Sequence, residues 1–323
     1  MKKFKTTTEQ KEYLIKNKKL KDEEIIIDIL KERPYASIIN PYKKFFYTSI
    51  IDDVHCYETA TSIIDYYKLA NFDDLVAKEL HYKIGVFERR IKGAFAYVLS
   101  SIMKTLGDET ATMYIKVFDD IDNSIEEFKL LGFNDYNYTY NRSEKELKVE
   151  NENTKQYRKT LLKNIADLND GKKKQNNLFK KYINGNIPIP FWLVVHTMSI
   201  GELLSLYQML SKETRNDILD YLNTSLKKQI YKDTIFKFED DLNIIKDLRN
   251  IVNHYEPLFE FIRSKPKSKI LFAINRIVLF SNKTVNYCYK DLKSTIPTFK
   301  NNNNSDIVDI YCKITSTIKK RDD

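Results

Sequence analysis

Apolar residues recur at intervals of three and four along most of the chain, the spacing that places them on one face of a helix. The clearest run extends from Phe72 to about Leu106 and predicts one long amphipathic helix that contains Gly85 and Gly93. Further helices are expected over about 192–210, 217–229, 238–255 and 269–289. With only 7 glycines and 7 prolines, the chain has few turn-forming residues. An all-α fold is therefore expected.

Two shorter helices are predicted near the beginning of the chain. Thr6 and Glu9 have the spacing of a capping box, and Asp22 is placed to cap a second helix that Pro34 stops. The aromatic and basic tract at 40–47 can either stack on bases or pack a helical appendage against a core, and packing is the more common role. We predict an N-terminal helical segment over 1–50, a helical domain over 51–300 with a charged insertion near 106–186, and a polar tail over 301–323.

Charge is unevenly distributed along the chain. Lysine and arginine total 54 against 45 acidic residues, a formal net charge of +9 that favours a polyanionic partner, although coding bias can also supply lysine. Residues 106–150 hold 11 acidic and 5 basic residues, whereas 151–186 hold 9 basic and 3 acidic. Such a basic block is usually a solvated face, but beside a catalytic helix it would also bind phosphates. The candidate RNA-binding residues are Lys172, Lys173, Lys174, Lys180, Lys181, Arg263 and Lys265.

The sequence lacks the signals that are typical of several classes of protein. Cys56, Cys288 and Cys312 lie far apart without zinc-site spacing, and neither a phosphate-binding GxxxxGK[ST] loop nor a GxGxxG turn occurs. No apolar signal-peptide core follows the basic N-terminus, and the most apolar later run, Ile270 to Phe280, is short for a membrane span and carries Arg276. We expect a cytoplasmic protein without a metal or cofactor.

The helix expected over 238–255 has the strongest chemical signal. Asn250 and His254 are four residues apart and share one face, while Arg249 has a stem long enough to reach the same end. Histidine suits proton transfer near neutral pH, arginine suits phosphate oxygens, and asparagine can orient either group. These residues are the candidate catalytic groups for RNA cleavage by internal transesterification. Because one histidine cannot be base and acid at once, a composite site in a homodimer is expected.

The same residues have a structural interpretation, in which Arg249 and His254 cap carbonyls or pair with Asp247 or Glu256. Other polar residues are weaker candidates. His55 and His196 fit packing or surface roles better than catalysis. His81 and Glu88 lie on the long helix, where Glu88 is the better candidate for an orienting carboxylate.

Segments along most of the chain resemble the Abi family of phage-defence proteins, in its AbiD/AbiF-like branch of the HEPN ribonucleases. The resemblance rests on residues 8–14, on Asn40-Pro41-Tyr42, on residues 72–75 and on a block from Pro190 to Tyr207. It is strongest at Leu248-Arg249-Asn250 with His254. The chain departs from the family at His196, where an acidic residue is usual, at Tyr255, where a second histidine is usual, and in lacking a glycine after the first helix.

The resemblance implies a HEPN-like helical bundle with an N-terminal appendage and an endoribonuclease that acts as a homodimer in abortive infection. Relatives among type VI CRISPR effectors make a bound non-coding RNA a further expected partner besides the RNA substrate. The alternative is a non-catalytic RNA-binding or regulatory module of the same fold that holds such an RNA.

Overall fold

The computed structural model describes residues 4–46, 49–51, 54–57, 61–107, 112–140, 147–169, 177–231 and 235–280. The all-α class is confirmed: these residues form fourteen α-helices, together with two short antiparallel hairpins and three 3-10 turns. Two compact units divide the chain. One contains residues 1–84 and 247–323, and the other contains 85–246. The domain limits expected at 50 and 300 stay predictions.

The first unit consists of helices and one hairpin. In chain order they are α1 Thr7–Lys18, α2 Glu23–Glu32, α3 Tyr35–Ile38, β1 Ser49–Ile51, β2 Val54–Cys56, the first half of α4 Ile63–Thr105, α13 Leu258–Ser264 and α14 Lys267–Phe280. β1 pairs with β2, and Ile50 lies opposite His55. A 3-10 turn at Lys43–Phe45 precedes the hairpin.

The second unit begins with the remainder of α4. It continues with α5 Thr112–Asp119, α6 Ile125–Leu130, β3 Tyr138–Tyr140, β4 Leu147–Val149, α7 Glu152–Asn169, α8 Lys180–Asn184, α9 Phe191–Thr197, α10 Ile200–Met209, α11 Lys212–Leu226 and α12 Ile235–Asn253. The final residues of α12, from Asp247, belong to the first unit. β3 pairs with β4.

The capping box of α1 is confirmed, because Thr6 and Glu9 exchange hydrogen bonds between side chain and backbone. The predicted cap at Asp22 is wrong. Its side chain makes no cap hydrogen bond to α2 and instead accepts a hydrogen bond from the Ser62 hydroxyl. Ser62 Oγ in turn accepts the Ile64 N–H at 2.9 Å and so caps α4. This cap explains why α4 begins nine residues before the predicted start at Phe72.

Other helix boundaries also differ from the predictions. The helix expected over 192–210 is two helices, because Ser199 and Glu202 form a capping box that begins α10 immediately after α9. The helix expected over 217–229 begins at Lys212, since the Ser211 hydroxyl accepts the Thr214 N–H at 3.2 Å. Both caps are visible in the sequence as a serine at the correct spacing.

The aromatic tract after α3 packs into the first unit, which is the role that the sequence analysis favoured over stacking on bases. Tyr42, Phe45 and Phe46 are buried. The ring of Phe45 lies 4.4 Å from that of Phe259 on α13, and the ring of Phe46 lies 4.0 Å from that of Tyr66 on α4. Residue 47 lies outside the described residues. These contacts leave the three rings no face with which to stack on a base.

A buried carboxyl group on α4 connects the aromatic tract with α13. Asp73 is only 3% exposed, and its Oδ2 accepts hydrogen bonds from the Tyr42 hydroxyl at 2.8 Å and from the Phe259 N–H at 3.3 Å. Pro257 precedes α13 and makes no side-chain cap, so Asp73 serves as a cap from a distant part of the sequence. Burial, together with this carboxylate, raises the pKa of Tyr42. Asp73 on α4 therefore holds the start of α13 and with it the turn between α12 and α13.

Replacing Asp73 tests this connection. Asp73→Ala leaves a buried hydroxyl and a helix N–H without this acceptor and should lower the free energy of unfolding by about 2–4 kcal/mol. The adjacent Asp74 pairs with Arg33 at the surface, so Asp74→Ala should cost less than about 1 kcal/mol. Urea unfolding followed by circular dichroism measures both. Equal losses in the two variants would contradict the structural role of Asp73.

Candidate functional site

The candidate site lies at the carboxyl end of α12, whose position is set by its apolar face. Leu242, Ile245, Leu248 and Val252 are all buried, as the spacing predicts. The helix begins three residues before the predicted start and ends at Asn253 rather than Tyr255. His254 is consequently the first residue after the helix, although its N–H still donates to the Asn250 carbonyl at 3.0 Å.

The helix ends in a left-handed turn. Tyr255 has φ +53°, and the Glu256 N–H donates to the Ile251 carbonyl at 3.1 Å. This six-to-one hydrogen bond is that of a Schellman motif, in which Tyr255 takes the position that glycine usually occupies. For a residue with a Cβ the left-handed conformation costs about 1–2 kcal/mol relative to glycine. The chain therefore keeps a strained tyrosine beside the candidate histidine.

The three predicted catalytic residues remain available to a ligand. Asn250 and His254 are exposed, and Arg249 is half-buried. Within the described part of the chain, none of the three side chains has a hydrogen bond or an ion pair. Asp247 pairs with Lys265 at 3.1 Å instead of with Arg249. The structural interpretation expects Arg249 and His254 to pair with neighbouring acidic residues. The described residues show no such pairs.

Asn253 is a further polar residue at this end of α12 that the sequence did not single out. Its Oδ1 is buried and has no hydrogen-bond partner in the described structure. It lies four residues after Arg249, so the two share a face of α12. An unsatisfied buried acceptor costs about 1–3 kcal/mol, a cost that a donor brought by Arg249 or by a ligand would remove.

Comparison with known proteins identifies the family. The sequence model of the Abi-like protein family matches residues 28–260, which is more than half of the chain. The chain belongs to the Abi-like protein family. The match extends from α2 into α13 and includes Arg249, Asn250 and His254. No curated protein and no solved structure matches the chain. Membership of the Abi-like family indicates a role in abortive-infection defence against phage.

The predicted RNA-binding residues of this Abi-like protein fall into three groups. Arg263 and Lys265 belong to the same unit as the motif, where Arg263 pairs with Glu260 at 3.0 Å and Lys265 pairs with Asp247. Lys180 and Lys181 are exposed on α8 in the other unit. Lys172, Lys173 and Lys174 lie outside the described residues. Lys44 is a further basic residue near Arg263. Burial and the positive charge of Arg263 lower the pKa of Lys44.

The structure describes Glu88 and two of the other three histidines. Glu88 pairs with Lys92 on α4 at 2.6 Å, and partial burial together with Lys92 lowers the pKa of the exposed His196. These residues belong to the unit of residues 85–246, whereas Arg249 to His254 belong to the other. His81 is exposed on α4. The side chain of His55 lies outside the described residues. An orienting role for Glu88 stays a prediction.

Two kinds of structural feature are absent from the described residues. No group of three or more His, Cys, Asp or Glu side chains in these ranges is arranged to hold a metal ion. Across the same residues, no helix combines the length and apolar character that crossing a membrane requires.

The left-handed turn gives a prediction for stability. Tyr255→Gly relieves the strain and should raise the free energy of unfolding by about 1 kcal/mol, less than the full strain because glycine also gives the unfolded chain more freedom. Tyr255→Ala keeps the Cβ and should leave stability nearly unchanged, which makes it the matched control. Chemical denaturation compares the two variants. A glycine variant no more stable than the alanine variant would show that the turn carries no such strain.

Proposed function

We propose that this Abi-like protein is an endoribonuclease of the HEPN superfamily, in its AbiD/AbiF-like branch, that cleaves RNA during abortive infection. The observation that carries the proposal is the end of α12, where a histidine, an arginine and an asparagine occur within six residues and have no partners among the described residues. Groups that act on a substrate must be available to it before it binds, and these three side chains meet that condition.

The reaction requires three functions that these side chains can supply. The 2′-hydroxyl of a ribose loses its proton to a base and attacks the adjacent phosphorus, while an acid protonates the departing 5′-oxygen. His254 carries one of these proton transfers, since imidazole exchanges protons near neutral pH. Arg249 stabilises the additional negative charge on the phosphorane with its planar set of N–H donors. Asn250, one helical turn before His254, orients the imidazole or a phosphate oxygen.

One protomer supplies one histidine at this site, so the acid and the base come from two copies of α12. We infer a homodimer in which the two helix ends face the same phosphodiester across a twofold axis. The products are one strand with a 2′,3′-cyclic phosphate and one with a 5′-hydroxyl. Neither step needs a metal ion to generate the nucleophile, because the attacking oxygen belongs to the substrate.

Incubation of purified protein with RNA in EDTA tests this function. Cleavage should proceed in EDTA and leave cyclic phosphate ends. His254→Ala and Arg249→Ala should each lower the rate about 10²- to 10⁴-fold, because each removes a group used in the transition state. Arg89→Ala removes an exposed arginine on α4 and is the matched control, with no expected effect.

Three results decide between the proposals. Retention of cleavage by His254→Ala, with unchanged thermal stability, would remove His254 from the reaction. RNA that binds tightly but is never cut would favour the alternative, a non-catalytic module in which Arg249 clamps phosphates of a stored non-coding RNA. In that alternative, Arg249→Ala weakens RNA retention and salt weakens it further. Protein that neither binds nor cuts RNA would contradict both.

A further inference from the structure

Tyr255 is an aromatic side chain that contributes nothing to packing. It is 92% exposed, and no hydrogen bond, ring contact or cation contact involves it among the described residues. A tyrosine in a protein core or interface usually buries most of its ring, and the hydroxyl finds a partner. Neither occurs here. The ring therefore has both faces available to a ligand.

The backbone at Tyr255 makes this exposure unusual. The other residues with a Cβ and positive φ in the described chain are Lys19, Asp22, Asn186 and Lys227. These have polar or flexible side chains, of which aspartate and asparagine tolerate the left-handed region best. A bulky aromatic residue is the least suited to it, and glycine would satisfy the same turn without strain. The fold gives no reason for a tyrosine at this position.

The turn fixes the backbone from which the ring projects. The Glu256 N–H donates to the Ile251 carbonyl on one side of Tyr255, and on the other side Pro257 has its φ restricted by its own ring. Beyond Pro257, the Phe259 N–H is held by the buried Asp73. A ring on a rigid turn loses less conformational freedom on binding than one on a flexible loop.

We propose that Tyr255 is a stacking platform for an unpaired nucleobase of the RNA substrate. This inference rests on the proposed function, since it takes the adjacent His254 as the place where the phosphodiester lies. An exposed aromatic ring next to groups that bind phosphate is the usual arrangement in proteins that bind single strands. Bases in a duplex already stack on each other, so the platform selects single-stranded RNA.

A tryptophan reporter tests the stacking directly. The chain has a single tryptophan, Trp192, so Trp192→Phe combined with Tyr255→Trp places the only indole at the turn. Titration with a single-stranded 2′-O-methyl oligouridylate, which lacks the attacking hydroxyl and stays intact, should quench the tryptophan fluorescence. A duplex of the same length should quench it much less. Binding measured by anisotropy without any quenching would overturn the proposal, as would absence of binding.

A second set of variants separates stacking from other roles of the side chain. Tyr255→Phe should bind the same oligonucleotide as the original chain does, whereas Tyr255→Ala and Tyr255→Gly should each bind it roughly 10-fold more weakly. In cleavage assays the weakening should appear in KM with little change in kcat. Equal binding by all four proteins would overturn the proposal. Because alanine keeps the backbone strain and glycine relieves it, equal losses in these two variants exclude a change in the turn as the cause.

The two proposals fail in different ways. If the proposed function is wrong in its chemistry, no cleaved ends appear, yet the reporter is still quenched by the uncleavable strand. If the stacking inference alone is wrong, RNA is cleaved and the variants of Tyr255 behave like the original chain. A reporter signal that changes with protein concentration but does not respond to RNA would instead place Tyr255 in a contact between two copies and overturn the stacking role.

Discussion

Asp73 Oδ2 is the atom on which the geometry of the candidate site depends. It is buried on α4 and accepts hydrogen bonds from the Tyr42 hydroxyl and the Phe259 N–H, which lie 31 and 186 residues away in the chain. A buried carboxyl group is costly unless its oxygens are satisfied, and these donors meet that need. In return, Asp73 fixes the first turn of α13, and so the short connection that carries Tyr255 and follows His254.

The helix α12 divides its side chains between stability and chemistry. Its buried face anchors the helix by removing apolar surface from water, and this burial supplies the free energy that holds the polar end in place. The polar end then keeps Arg249, Asn250 and His254 without partners in the described structure and an asparagine oxygen, Asn253 Oδ1, unsatisfied. The unsatisfied oxygen of Asn253 and the strained turn at Tyr255 are a local cost that the rest of the fold tolerates. Such concentrations of cost are typical of functional sites.

Local signals in the sequence predicted much of this arrangement. The apolar spacing predicted α4 and α12, although with shifted ends, and identified the buried face of α12, because helical periodicity depends only on neighbours in the chain. The capping box at Thr6 was also visible. The Asp22 cap failed because a residue forty positions away, Ser62, binds its carboxyl group. The bond from Asp73 to Phe259 and the unpaired Asn253 could not be predicted, since both depend on which elements meet in space.

For the candidate site too, some features could be predicted from the sequence and others depend on the folded chain. Residue types and spacing suffice to select Arg249, Asn250 and His254, but their freedom from internal partners is a property of the folded chain. The left-handed backbone at Tyr255 had only a weak signal in the sequence, since roughly a third to a half of helices end in a left-handed residue and no glycine precedes Pro257 here. Its exposure, and with it the platform beside His254, follows only from the structure.

The central claim is that the end of α12 directs the 2′-hydroxyl of RNA at the neighbouring phosphorus, and a substrate with one atom removed tests it most directly. After the preferred cleavage position in an oligoribonucleotide has been mapped, the ribose on the 5′ side of that bond is replaced by 2′-deoxyribose, and all others are kept. The proposed reaction predicts that cleavage at this bond stops while neighbouring bonds are still cut. Continued cleavage at the modified bond at an unchanged rate would contradict it.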